Sequence, residues 1–456
     1  MRRPLPPVDS LGRMYEDITS TVSDQFPALQ VDLENLVRIP SVSAADSDPG
    51  EVRRSAEASA ALLEGVGMES VRLLEHADAH PGVFGEIPAP PGAPTVLLYA
   101  HHDVQPAGEG WSTSPFDPVE VDGRLFGRGT SDDKCGVVMH VGALRALDGS
   151  VPVGVKVFLE GEEEIGSLHL DSFLAEHGGD LAADVIVIAD SGNWRAGLPS
   201  FTTSLRGLVD CEVEVRTKRH AVHSGMYGGV FPDALSALAR LLATLHDDEG
   251  KVAIARLVAE DADPLDLTEE ELRTQVGAHD TLELIGSGSL TSRLWRQPAV
   301  SVLAIDAPRI GEAVNALVPV ASAKVSLRLA PGQDPDEALD SLTDHLVSRA
   351  PWGAQVTVTP GAKGHAFSLE TGGPGYSSFA QGFREAWHEE PVEIGVGGSI
   401  PFVAAFSSAF PEAEILLTGV GDELSRPHGP DESVDLQELR RGCLAQAIAL
   451  LELGAR

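Results

Sequence analysis

Residues 95–103 have the sequence Thr-Val-Leu-Leu-Tyr-Ala-His-His-Asp, in which an apolar stretch runs directly into two histidines and an aspartate. Three further apolar stretches, at 155–159, 185–189 and 415–418, are also followed by acidic residues or histidine. Short stretches rich in Val, Ile and Leu are typical of buried strands in a mostly parallel sheet, whose ligands bind beyond the carboxyl ends of the strands. We therefore expect an α/β fold in which these polar residues lie together.

The residues that follow the four stretches are carboxylates and imidazoles, which repel one another or stay unpaired unless a cation joins them. A divalent metal centre is the simplest way to bring them to one edge of a sheet. The residues concerned are His101-His102-Asp103, Glu160-Gly161-Glu162-Glu163-Glu164, Asp190 and His428.

Composition narrows the class of protein. The chain has 456 residues, 43% of them hydrophobic, which predicts a globular protein of two or three domains. Its formal net charge of −36 argues against nucleic acid or an anionic membrane as a partner. Residues 1–7 are not followed by the apolar core of a secretion signal, and three cysteines far apart do not form a disulfide framework. We expect a cytoplasmic protein.

The pattern of predicted elements changes along the chain. Strands and helices alternate up to about residue 200, which indicates α/β structure, whereas residues 208–215 alternate apolar with polar side chains as in a half-exposed sheet. The α/β pattern returns after Pro331-Gly332. We predict a catalytic domain formed by 1–206 and 332–456, interrupted by an α+β domain at 207–331.

Three motifs are ambiguous when taken singly. His101 and Asp103 lie two residues apart in an extended segment and so point the same way, which suits a metal ligand and the carboxylate that orients it, although a solvated loop is the alternative. Asp132 precedes a predicted helix at 135–147, where an aspartate is ordinarily an N-cap. Among Glu160–Glu164, crowding raises the pKa values unless a cation intervenes, so one carboxylate suits a metal and a neighbour suits a general base.

Taken together, five motifs resemble the dinuclear-zinc exopeptidases, a family that includes carnosinase-type dipeptidases, glutamate carboxypeptidase, aminoacylase, acetylornithine deacetylase and succinyl-diaminopimelate desuccinylase. The resemblance extends from about Val37 to the C-terminus and is greatest to the carnosinase-type dipeptidases. It implies a sheet sandwiched by helices with an inserted lid and dimerisation domain. The motifs are His101-His102-Asp103, residues 127–134, Glu163-Glu164-Ile165-Gly166-Ser167, His223-Ser224-Gly225-Met226-Tyr227-Gly228-Gly229 and Gly397-Gly398-Ser399-Ile400-Pro401.

The resemblance also implies a role for each matching residue in a two-metal site. One metal ion is held by His101 and Asp190, the other by Glu164 and His428, and Asp132 bridges the two ions. The family also has a cis peptide bond after the bridging aspartate, here between Asp132 and Asp133. Glu163 is the general base that activates a metal-bridging water, and Asp103 orients His101. Zinc is the expected metal, while manganese and cobalt also suit such ligands.

Residues of the inserted domain match the family's substrate contacts. His223 matches a histidine that reaches the active site of the partner subunit in a homodimer and stabilises the oxyanion. Arg328 matches an arginine that grips the terminal carboxylate of the substrate, and Asn315 and Ser399 match neighbouring contacts. Alone, His223 would be a turn residue and Arg328 a surface residue. Gly395-Val396 stands where carnosinase-type members often carry Arg-Glu, so the side-chain preference is open.

We therefore expect metal-dependent hydrolysis of dipeptides or short peptides with a free C-terminal carboxylate. An N-acyl amino acid amidohydrolase or a carboxypeptidase would use the same metals and the same base, so these remain alternatives. A non-catalytic binding protein is the third alternative, but it would be expected to lack a ligand or the base. All five ligand positions and Glu163 are occupied by suitable residues.

Overall fold

The structure is a computed structural model that describes residues 8–76, 78–369, 371–398 and 401–456. Its helices are α1 (Val8–Val37), α2 (Pro49–Gly65), α3 (Lys134–Ala146), α4 (Leu170–Leu181), α5 (Ser224–Tyr227), α6 (Ala234–Ala243), α7 (Glu269–Val276), α8 (Pro335–Ser348), α9 (Pro374–Trp387), α10 (Pro401–Ala409) and α11 (Leu436–Ala455). Its strands are β1 (Glu69–Leu74), β2 (Gly82–Ile87), β3 (Thr95–His101), β4 (Val119–Val121), β5 (Arg124–Phe126), β6 (Gly154–Glu160), β7 (Val185–Ile188), β8 (Ser200–Leu205), β9 (Gly207–Arg216), β10 (Val222–His223), β11 (Ala299–Asp306), β12 (Ala316–Leu317), β13 (Val320–Leu329), β14 (Gln355–Gly364), β15 (Phe367–Ser368), β16 (Val392–Val396), β17 (Glu414–Leu417) and β18 (Ser433–Asp435).

The chain forms two compact units. The first contains the described residues of Met1–Thr203, Leu369–Ile394 and Pro401–Arg456, and the second contains those of Ser204–Ser368 and Gly395–Ile400.

The first unit is built on a six-stranded sheet with the order β1-β2-β6-β3-β7-β17. Strand β3 runs parallel to β6 and β7, and β17 runs parallel to β7. At one side, β2 pairs antiparallel with both β6 and the outermost strand β1. The four apolar stretches of the sequence are thus four neighbouring parallel strands, which confirms the predicted mostly parallel α/β sheet and places their carboxyl ends on one edge.

Side chains alternate between two buried faces along these strands. On one face, Val96, Leu98 and Ala100 of β3 belong to a large apolar core that also contains residues of α1, α3 and α11. On the other face, Tyr99 stacks on Phe402 of α10, with ring centroids 4.5 Å apart, and also contacts Phe158 of β6. Helices therefore cover both faces, as the continuous apolar character of the strands requires.

The second unit is an antiparallel sheet with helices packed on one face. Its four strands have the order β11-β13-β9-β14. Val209, Val213 and Val215 of β9 form a core with side chains of α6 and α8, whereas Glu212 between them is exposed. This alternation along β9 is that of a sheet with one buried face.

The second unit extends further along the chain than the inserted domain predicted at 207–331. It continues to Ser368 because β14 pairs with β9 from Gln355 to Gly364. Helix α8 also belongs to it, since Leu342 and Leu346 lie in the same core as the strands. Residues 332–368 therefore lie outside the first unit. An amphipathic helix followed by a strand resembles a βαβ segment, which is why the sequence placed the boundary at 331.

No helix among the described residues is long and apolar enough to span a lipid bilayer.

Helices α9 and α11 pack closely where α9 carries Gly382. A Cβ atom at this position would lie 2.2 Å from the backbone oxygen of Ala445 in α11. We expect Gly382→Ala to lower the free energy of unfolding by about 1–3 kcal/mol, because the helices would have to separate. Urea denaturation followed by circular dichroism measures this change.

Gly178 in α4 provides the matched control, because a Cβ atom there would meet nothing within 4 Å. Gly178→Ala should leave stability unchanged or raise it by up to about 1 kcal/mol, since alanine favours the helix. Equal stability of the two variants would show that α9 and α11 accommodate the added methyl group without separating.

Candidate metal centre

The carboxyl edge of the parallel sheet carries two overlapping groups of potential metal ligands, all within the first unit. One group is His101, Asp132 and Asp190, and the other is Asp132, Glu164 and His428. In each group one ligand atom per residue lies within 4.8 Å of the others. The structure thus brings together the five residues that the sequence nominated, with Asp132 common to both groups.

The two carboxylate oxygens of Asp132 face different histidines. Oδ1 lies 2.9 Å from Nε2 of His101, and Oδ2 lies 3.0 Å from Nε2 of His428. The same nitrogen of His428 lies 3.1 Å from Oε2 of Glu164. A carboxylate with one oxygen directed to each side has the geometry of a bridging ligand.

Asp132 is free for this position because its neighbour caps the helix. Asp133 is the N-cap of α3, and its side chain accepts a hydrogen bond from Gly136 N at 3.2 Å. It also accepts one from His101 N at 3.3 Å. The peptide bond between Asp132 and Asp133 is cis. The capping role considered for Asp132 therefore belongs to Asp133.

Asp103 connects the ligand His101 to the turn that follows β6. Its backbone oxygen lies 3.1 Å and its carboxylate 3.4 Å from Nδ1 of His101. The same carboxylate accepts hydrogen bonds from the backbone N–H groups of Glu163 and Glu164, at 3.3 and 3.1 Å. Burial favours a higher pKa for Asp103, but the hydrogen bond with His101 and the charges of His101 and His102 together hold the pKa below its usual value.

Glu163 begins a single 3₁₀ turn, Glu163–Ile165, beside the ligands. Burial raises its pKa to about 9; the carboxylates of Asp190, Glu164 and Asp132 add to this, and His101 opposes it. Burial likewise raises the pKa of Asp190 to about 7. A divalent cation among these carboxylates would lower both pKa values, because it stabilises their charged forms.

The pKa values of the two histidines are raised as well. The carboxylates of Asp132 and Glu164, which lie 3.0 and 3.1 Å from its Nε2, raise the pKa of His428 to about 10. Burial favours a lower pKa for His101, but its hydrogen bonds with Asp103 and Asp132 raise the pKa well above the usual value. The crowded carboxylates therefore favour the protonated forms of both imidazoles.

The donor set fits divalent metal ions. It offers two imidazole nitrogens and three carboxylates, which suit zinc, manganese or cobalt. Oε2 of Glu164 is buried and makes no hydrogen bond of acceptable geometry, although it lies near His428. Its other oxygen accepts from Gln105 N at 2.9 Å. Glu164 is thus held by one oxygen while the other retains its lone pairs for a cation.

The remaining nominated residues belong to the second unit or lie outside the described residues. His223 is exposed, caps the short helix α5, and its Nδ1 accepts from Gly225 N at 3.1 Å. Asn315 lies beside it, since its backbone oxygen accepts from Ser224 N at 3.0 Å. Arg328 is half-buried in β13, between Leu208 and Ala299 on the neighbouring strands. Ser399 lies outside the described residues.

Sequence reasoning missed two buried residues beside the ligands. Glu432 is fully buried and accepts a hydrogen bond from Asp132 N at 3.1 Å. Nη1 of Arg128 lies 2.6 Å from Oε2 of Glu432, and Nη2 of Arg128 donates a hydrogen bond to the backbone oxygen of His428 at 3.2 Å. Arg128 stands inside the motif at 127–134, but neither residue follows one of the four apolar stretches, so the pattern that found the candidate ligands gave no signal for them.

The sequence was compared with known proteins. The model of peptidase family M20/M25/M40 matches residues 97–452. The cysteinylglycine-S-conjugate dipeptidase of Corynebacterium striatum is 35% identical over 407 residues, which cover 86% of this chain and 88% of that protein. The human beta-Ala-His dipeptidase is 28% identical over 396 residues, which cover 82% of this chain and 77% of that protein.

The fold has been seen in solved structures. The crystal structure of human carnosine dipeptidase 1 superposes with a TM-score of 0.77 at 24% identity, over 99% of this chain and 100% of that one. This likeness establishes the same fold. With a family model matching most of its length and a relative of 35% identity, the chain belongs to peptidase family M20/M25/M40.

Proposed function

We propose that this protein is a dinuclear metal-dependent dipeptidase that hydrolyses dipeptides or short peptides with a free C-terminal carboxylate. The observation that carries the proposal is the pair of ligand groups that share Asp132, with Glu163 beside them. Its relatives of 35% and 28% identity are dipeptidases, named for cysteinylglycine S-conjugates and for beta-Ala-His, which supports a dipeptide substrate.

His101 and Asp190 would hold one metal ion, Glu164 and His428 the other, and Asp132 both. Two such ions, when bound, polarise the scissile carbonyl and lower the pKa of water. Zinc is the metal we propose, because two imidazoles with carboxylates are ligands typical of zinc sites.

Glu163 would act as the general base and transfer protons. Its carboxylate would take a proton from the attacking water and then deliver it to the nitrogen of the leaving amine. Asp103 supports this role, because its carboxylate accepts hydrogen bonds from Glu163 N and Glu164 N. The base and the neighbouring ligand are thereby fixed relative to His101, to which Asp103 also lies close.

Residues of the second unit would bind the substrate. Arg328 would form a two-point hydrogen-bonded pair with the terminal carboxylate, with Asn315 and Ser399 as neighbouring contacts. His223, supplied by the other subunit of a homodimer, would donate a hydrogen bond to the oxyanion. Its imidazole is exposed and so is available to a partner.

Two observations support a homodimer and a cytoplasmic location. Strand β11 is an edge strand on which Val302, Leu303 and Ile305 are exposed, and an apolar edge of this kind favours pairing with a second copy. All three cysteines are free and buried, which suits the reducing environment of the cytoplasm.

A substrate panel tests the function directly. We expect turnover of dipeptides such as Cys-Gly and beta-Ala-His, and a fall in kcat/KM of about 10-fold or more when the terminal carboxylate is amidated, because Arg328 loses its charged partner. The measurement is release of free amino acids in the presence of Zn²⁺, Mn²⁺ or Co²⁺. Turnover of N-acyl amino acids alone would instead identify a deacylase.

Replacing the base should separate proton transfer from metal binding. Glu163→Gln is expected to lower kcat by about 10²–10⁴-fold, because the amide cannot accept the proton. Metal analysis of the same sample should give the wild-type content, since Glu163 is not among the five ligands. Wild-type turnover by this variant would contradict the assignment of the base.

His223 is tested by mixing subunits. His223→Ala alone should lower kcat by about 10²–10³-fold with little loss of metal, because an oxyanion donor is removed. Mixed with Glu163→Gln subunits, it should recover about a quarter of wild-type activity, since each mixed dimer contains one complete site. If mixing restores nothing, His223 does not act across the dimer.

A further inference from the structure

A buried ion pair lies behind the ligands. Arg128 is 1% exposed and Glu432 is 0% exposed, and Nη1 of Arg128 lies 2.6 Å from Oε2 of Glu432. Taking two charges out of water costs free energy unless their remaining hydrogen-bonding groups are satisfied. The contacts of this pair therefore show what it is built to hold.

Glu432 holds the turn that presents Asp132. Its carboxylate accepts hydrogen bonds from Gly129 N at 3.0 Å, Ser131 N at 2.9 Å and Asp132 N at 3.1 Å. Three N–H groups of one turn thus converge on a single side chain. A carboxylate can accept all of them together with Arg128, whereas an amide, with one acceptor oxygen, cannot.

Arg128 holds the segment that presents His428. Its Nη2 donates to the backbone oxygen of His428 at 3.2 Å, and to those of Pro106 and Ala107 at 3.3 and 3.4 Å. His428 has a positive φ of 61°, a conformation that residues other than glycine rarely adopt. The hydrogen bond to its carbonyl oxygen helps to keep the backbone in that conformation, which directs the imidazole to Asp132 and Glu164.

We propose that Arg128 and Glu432 are positioning residues that set the distance between Asp132 and His428, and thereby the affinity of the ion held by Asp132, Glu164 and His428. The pair connects the backbones of two of these three ligands without offering a ligand itself. This inference rests on the proposed two-metal function. The ion held by His101, Asp132 and Asp190 depends on the pair through Asp132 alone, and should respond less.

The test measures metal binding rather than activity. Metal-free protein is titrated with Zn²⁺ in competition with a chromophoric chelator. The wild-type protein should bind two ions, and Glu432→Gln should bind one of them about 10–100-fold more weakly, as expected when a residue that orients a ligand is lost. His428→Ala identifies that ion, and adding Glu432→Gln to it should weaken the remaining ion little further.

Glu414 offers a matched control at the opposite end of the parallel strands, where the strands begin. It begins β17, and its carboxylate accepts two backbone N–H groups, from Gly375 at 2.7 Å and Tyr376 at 2.6 Å. Glu414→Gln likewise removes one of the two acceptor oxygens that hold backbone N–H groups, but far from the strands' carboxyl ends. It should bind two Zn²⁺ ions with wild-type affinity.

Arg128→Lys is the second variant, and it keeps a cation beside Glu432 should Glu432→Gln fail to fold. It removes the Nη2 donor to the backbone oxygen of His428 and should weaken the same ion. Activity of both variants should rise with added Zn²⁺, whereas that of Glu414→Gln should not. Wild-type affinity for both ions in both variants overturns the positioning role alone; fewer than two ions on the wild-type protein would overturn the proposed function as well.

Discussion

The parallel register of β6, β3, β7 and β17 is the constraint on which the site depends. Parallel strands deliver the residues that follow them to one edge, so His101, Glu164, Asp190 and His428 meet although they are far apart in the sequence. The apolar strands are buried on both faces, which fixes this register through the packing of the helices. The chemistry of the edge is thus a consequence of the core beneath it.

Bringing these carboxylates together is electrostatically unfavourable, and the fold compensates locally. Backbone N–H groups donate hydrogen bonds to the carboxylates of Asp103 and Glu432, and Asp132 and its neighbours raise the pKa values of the two imidazoles by favouring their protonated forms. These contacts reduce the repulsion, but Glu163 and Asp190 still have raised pKa values. A site in this electrostatic state is prepared for divalent cations, which would remove the remaining repulsion.

Much of this could be predicted from the sequence, because strands and their last residues have a local signal. The apolar stretches gave the sheet, and the motifs gave the five residues that the structure groups around Asp132. Arg128 and Glu432 could not be found in this way, since their importance lies in contacts about 300 residues apart. The extension of the second unit beyond 331 has a related cause: β14 belongs with β9 through pairing that no local pattern records.

The contacts of Asp103 have a consequence for how such an enzyme can diversify. One side chain fixes the backbone of Glu163 and Glu164 while the same residue lies against His101, so a substitution there alters ligand and base together. We therefore expect this position to tolerate little change. His223, Asn315 and Arg328, which we propose bind the substrate, stand in a second unit with its own core. We therefore expect evolvability to be concentrated in the second unit, while the first conserves the reaction.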